Sequence, residues 1–162
     1  LLAIRYLAIC FTVLVCAASH AQDSYSVSYV YDGDTVQLKN ATGKFKLRLT
    51  DIDAPERNQA YGLKARRALM QLCQGDEIHV SANIVGKDKY QRLLGRLYCN
   101  DVDASLYLAE QGYAWHQGKF AHDPALKKAT TDAQKNKIGL WQDSDPTPPW
   151  IWRKLNMRAT TN

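Results

Sequence analysis

No stretch of this 162-residue chain is long and apolar enough to cross a bilayer comfortably. The longest apolar run, Tyr6 to Ala18, falls short of the ~20 residues that a spanning helix needs. Histidine and cysteine are both scarce, at four each, and Cys73 and Cys99 have no histidines set beside them in metal-ligand spacing, which argues against a zinc site. There is no internal repeat and no long low-complexity block. Charge of one sign is not extreme either: 21 Lys+Arg stand against 16 Asp+Glu, a net +5. That balance suits a polyanionic partner, and equally an ordinary basic protein.

The short apolar run has a different use. Arg5 precedes it and Ser19-His20-Ala21 follows, a small-x-small ending that reads as a secretory signal peptide cut after Ala21. Cys16 follows Leu14-Val15 rather than a small residue, which argues against a lipoprotein anchor. Export predicts a secreted or periplasmic protein, with 20 Lys+Arg and 16 acids left once Arg5 is removed. Two of the cysteines leave with the signal. Cys73 and Cys99 remain on core-facing positions, as a disulfide or as two buried thiols.

The most informative segment of the remaining chain is Arg48 to Glu56. Phe45, Leu47 and Leu49 alternate with Lys46, Arg48 and Thr50, the period of a half-buried strand, so Arg48 faces away from the core. Pro55 cannot join a sheet ladder and ends the strand near Asp53. An exit loop therefore carries Asp51, Asp53 and Glu56 beside a guanidinium, and a second acidic turn, Asp32-Gly33-Asp34, lies just upstream. Hard oxygen ligands beside fixed cations suit a divalent metal and a phosphate. The plainer explanation is that Asp-Gly marks a turn and Asp-Ala-Pro-Glu a polar loop. Arg48 and Arg92 each leave a strand committed to burial, where an arginine meets a phosphate or a structural carboxylate.

Around these lie a first strand from Ser24 to Tyr31, a second from Thr35 to Leu38, a fourth from Ile78 to Ala82 and a fifth from Gln91 to Cys99. Ala65, Ala68, Leu69, Leu72 and Cys73 form a helical stripe whose outer face carries Arg66 and Arg67 as solvated charges. Val102, Leu106 and Ala109 predict a second helix, and Asp123-Pro124 caps a third. From Gln142 onward, three prolines and sparse periodicity predict a tail, residues 142–162, that Trp150 and Trp152 pin to a body spanning 22–141. The pattern fits a mainly β (α+β) domain: a five-stranded OB-type Greek-key barrel with three helices.

Val30-Tyr31-Asp32-Gly33-Asp34-Thr35, Arg48 with Asp53-Ala54-Pro55-Glu56, Asp88 to Gly95, and Gly139-Leu140-Trp141 together resemble the thermonuclease (staphylococcal nuclease-like) family, in order, over nearly the whole expected mature chain. The resemblance implies a Ca2+-dependent nuclease acting on DNA and RNA and leaving 3′-phosphate ends. It places the metal at Asp34, Asp53 and the Ala54 carbonyl, with Asp32 in an outer shell. It gives Arg48, Arg92 and Glu56 to catalysis, and Lys89 and Tyr90 to the neighbouring phosphate. Phe120 is the aromatic left to stack a base. Gln91 departs from the family, standing where glycine is common. A monomer is expected.

Overall fold

The computed structural model describes residues 25–117 and 123–159. The expected signal segment and Phe120 lie outside them. Three strands, β1 (Ser26–Val30), β2 (Thr35–Asn40) and β3 (Gly43–Leu49), form the antiparallel meander that the alternation predicts. Val27, Val30, Val36, Leu38, Leu47 and Leu49 are their buried apolar side chains. The two-residue β4 (Ile52–Asp53) ends at Ala54-Pro55, as the proline requires.

Helix α1 (Gly62–Cys73) then crosses the core, burying Ala65, Ala68, Leu69 and Cys73. Arg66 is not a freely solvated charge on its outer face: Nε donates to the Val30 carbonyl at 2.8 Å, which ties the helix to β1. Strands β5 (Val80–Lys87) and β6 (Leu93–Cys99) pair antiparallel, with a register shift between Ile84 and Gly86, and β5 runs on beyond Ala82, the expected end of the fourth strand. Helices α2 (Ala104–Glu110) and α3 (Pro124–Lys135) follow, capped by Asp103 and Asp123, whose carboxylates accept from backbone N–H groups of the first turn.

Two features differ from the expectation. The main sheet runs β1-β2-β3-β6-β5, with β3 and β6 parallel and the short β7 (Val102–Asp103) on the outside of β6. Among the described residues β1 and β5 meet only at a single bridge, Tyr25 to Val80, so the ladder is an open sheet rather than a five-stranded closed barrel. A separate two-stranded ladder pairs β4 with β8 (Trp115–His116). The second difference is in the number of helices. Residues 149–159, read as part of a tail, form α4 (Pro149–Ala159), so the described chain has four α-helices and not three. Proline misled the reading because it breaks a helix only in its interior. At the first helical position its missing N–H costs nothing, and the Pro148 carbonyl accepts from Ile151 and Trp152. Trp150 packs edge-on against Trp115 at 5.5 Å, which anchors the segment as expected of it.

Cys73 and Cys99 form a disulfide across 26 residues of chain, joining the end of α1 to the end of β6, with Cα atoms 5.2 Å apart and both side chains fully buried. No described helix is long and apolar enough to cross a membrane.

Candidate active site

The two acidic loops are joined by backbone before any ligand is considered. Leu49 N–H donates to the Asp34 carbonyl at 2.8 Å, and Ala54 N–H donates to Asp34 Oδ2 at 2.7 Å. Asp32 Oδ1 accepts from Asp34 N–H at 3.0 Å, shaping the turn. Gly33 is required there by space. A Cβ on it would stand 2.6 Å from the Ala54 Cβ and 2.7 Å from that of Ala65, so only glycine lets the turn rest on the exit loop and α1 together. Asp34 and Asp53 are consequently buried side by side.

Arg48 lies between them. Its Nη1 is 2.6 Å from Asp34 Oδ2 and its Nη2 is 3.0 Å from Asp53 Oδ1. Thus the phosphate and carboxylate alternatives for Arg48 divide: in this state its partners are carboxylates. Asp53 also receives a fork from Arg153 of α4, and the same guanidinium reaches Glu56 Oε1 at 2.7 Å. Arg153 was not found from the sequence. It lies 100 residues from Asp53, in a segment without clear periodicity, and the pinning tryptophans were the only cue.

The parallel pairing of β3 and β6 brings in the second predicted arginine. Arg48 is registered with Leu94, so Leu94, Arg92 and Arg96 extend from the same outer face beside it. Arg92 Nε is held at 2.7 Å by Asp88 Oδ2, and among the described residues its η nitrogens have no recorded partner. Asp88 Oδ1 accepts the N–H groups of Tyr90 and Arg92, closing the turn. Gln91 occupies this turn with φ of +63°, the left-handed region that favours glycine. Tyr90 is exposed, with Lys89 Nζ 5.0 Å from its ring centre and the Arg92 guanidinium at 5.7 Å.

These groups face one cleft of about 1020 Å³, whose lining includes Asp32, Asp34, Arg48, Glu56, Tyr90, Arg92 and Arg153. Arg96 lines it too, but its three carboxylate partners, Asp51, Asp103 and Asp123, make it the tie between the β3–β4 turn and the caps of α2 and α3. With every carboxylate ionised, Asp34, Asp53 and Glu56 outnumber Arg48 and Arg153 by one negative charge, with Asp32 nearby. Burial pushes the Asp34 carboxyl up to about 8 against the pull of Arg48, and the neighbouring Asp32 and Asp53 add to the rise. A hard cation at this carboxylate would offset the cost of ionising it in a buried position. Among the described residues no three acidic, histidine or cysteine side chains form a ligand set alone. Two aspartates would leave the remaining positions to a carbonyl, water and a substrate oxygen, as calcium's six to eight ligands permit.

The raised pKa of Asp34 has a measurable sign. Between about pH 4 and 8 the folded, cation-free protein holds a proton that the unfolded chain has released. Stability is therefore greatest at the acid end and falls as pH rises, by up to ~1.4 kcal/mol per pH unit from this group. Asp34→Asn is expected to flatten that slope in chelator-treated protein, measured by urea denaturation at several pH values. An unchanged slope would remove Asp34 as its source.

A cleft that offers clustered carboxylates and arginines to one ligand defines a phosphate-handling class of protein. Comparison narrows the class: residues 46–143 match the model of the staphylococcal nuclease homologue family, and the chain belongs to it. A Haemophilus influenzae protein named "Uncharacterized endonuclease" is 38% identical over 151 residues, covering 91% of this chain and 83% of its own. An Escherichia coli O157:H7 protein of the same name is 35% identical over 141 residues, covering 86% and 88%. The "Micrococcal nuclease" of Shigella flexneri is 30% identical over 172 residues, covering 99% and 97%. The protein is a nuclease with an α+β fold of this family.

Proposed function

We propose that the protein is an exported, Ca2+-dependent endonuclease that hydrolyses DNA and RNA and leaves 3′-phosphate ends, working as a monomer after removal of residues 1–21. The observation that carries this reading is the single cleft shared by Asp34, Arg48, Glu56 and Arg92, with Asp53 bonded to Arg48 beneath it. Asp34, Asp53 and the Ala54 carbonyl would hold the cation. When bound, it supplies Lewis-acid polarisation of a phosphoryl oxygen.

The chain's own groups do the rest. Arg92 donates its η N–H groups to the scissile phosphate, and Arg48 would donate to the same phosphate. Both offset the charge that builds as water adds. Glu56 orients that water and accepts its proton. The bond from phosphorus to the 5′ oxygen then breaks, and that oxygen leaves with a proton from solvent. Lys89 and Tyr90 bind the adjacent phosphate, and Phe120 stacks a base.

Single-stranded DNA and RNA incubated with Ca2+ are each expected to be cut to 3′-phosphate ends, with turnover lost when a chelator is added. Binding of both substrates without cleavage at any Ca2+ concentration would favour a non-catalytic OB-type nucleic-acid-binding protein instead.

A further inference from the structure

We infer that Arg153, carried by α4, is a positioning residue for Glu56, so that the C-terminal helix is a working part of the active site. The inference rests on the role proposed above for Glu56. Three residues of the loop that bears this glutamate are tied to the C-terminal segment. Arg153 Nη1 meets Glu56 Oε1 at 2.7 Å, Trp152 Nε1 meets Asn58 Oδ1 at 3.4 Å, and Gln59 Nε2 donates to the Thr147 carbonyl at 2.6 Å. Gln59 is itself buried, and its Oε1 accepts the Glu56 N–H at 3.1 Å, so the side chain of the glutamate is tied to α4 and its backbone to Thr147, just ahead of that helix.

A half-exposed ion pair by itself would fix little. This one is different because the same guanidinium forks onto Asp53, at 2.8 and 3.1 Å, and that carboxylate is 1% exposed. A planar fork on a buried, immobile anchor sets the direction of the arginine, and the arginine then sets the place of the glutamate. Both terminal nitrogens are engaged by carboxylates, Nη1 by Asp53 and Glu56 and Nη2 by Asp53, and the kcat effect of Arg153→Gln in the Glu56→Gln background distinguishes action through Glu56 from action on the substrate. One glutamate oxygen is held and the other is left to face a water.

The test uses the full chain and two measurements. In the metal-free and substrate-free protein, Arg153→Gln is expected to speed hydrogen exchange of the Glu56, Gln59 and Gly62 amides about tenfold or more, with the β2–β3 amides unchanged. In steady-state cleavage of a single-stranded oligonucleotide at saturating Ca2+, the same variant is expected to lose kcat by about 10–100-fold with KM within about twofold. In the Glu56→Gln background it should cost less than about twofold more, because the group it positions is gone. Unchanged loop exchange, or an undiminished kcat loss in the Glu56→Gln background, would overturn the inference. If Glu56→Gln alone keeps full kcat, the role of Glu56 fails, and the exchange measurement still decides whether Arg153 holds the loop. Arg153→Lys keeps the charge without the fork, is expected to lose a smaller factor, and serves both measurements if the glutamine variant does not fold.

Discussion

Arg92→Ala is expected to lower kcat by about 10³–10⁵-fold, the range that a single well-placed arginine contributes to phosphoryl transfer, with the melting temperature nearly unchanged. The two halves of that result have separate causes. Asp88 is the recorded partner of Arg92, and it also accepts two backbone N–H groups, so the turn keeps most of its bonds after truncation. The lost guanidinium is then felt by the phosphate. Arg48→Ala should be as severe for kcat but should also destabilise the fold. It removes the guanidinium that Asp34 and Asp53 share, although Arg153 remains on Asp53, and the loss of those buried hydrogen bonds costs on the order of 1–3 kcal/mol. Single-turnover cleavage beside thermal melts measures both variants. An Arg92→Ala loss below tenfold would remove this residue from the chemistry. It would favour a protein that binds nucleic acid on this cleft.

A second large effect is expected from the disulfide, and it falls on stability alone. Cys73→Ala with Cys99→Ala should lower the unfolding free energy by roughly 3–4 kcal/mol, because a 26-residue crosslink removes loop freedom from the unfolded chain. For a domain of this size that corresponds to a fall in melting temperature on the order of 10 °C. The bridge also fastens α1 to the far end of the strand that carries Arg96 at its centre, and Arg92 just precedes that strand. Activity per folded molecule should nevertheless persist, since both sulfurs are buried in the core and not in the cleft. Denaturant titration with and without a reductant provides the same comparison on the unmodified chain. Equal stability under the two conditions would show that the bridge contributes nothing.

Much of this was legible from local rules. The alternation around Phe45 to Leu49 put Arg48 outside the core, and the structure has it there, half-buried at the cleft. Asp123-Pro124 named the start of α3 to the residue, because a side-chain cap and a proline first position are local chemistry. The tail was not legible for the complementary reason. Nothing local distinguishes a proline that stops a helix from one that starts it, and α4 gains its order from Trp115, Asn58 and Gln59, which are remote in sequence.

The sequence by itself determined which way side chains face along β3, where α3 begins, and which residues are chemically able to act. Those follow from steric and hydrogen-bonding preferences that span a few residues. The tertiary structure alone decided that β3 and β6 run parallel, bringing Arg92 beside Arg48. It also decided that α4 returns across 100 residues to place Arg153 on Asp53 and Glu56. Those contacts depend on packing between distant segments, where the burial of a shared core, and no local preference, selects the partners.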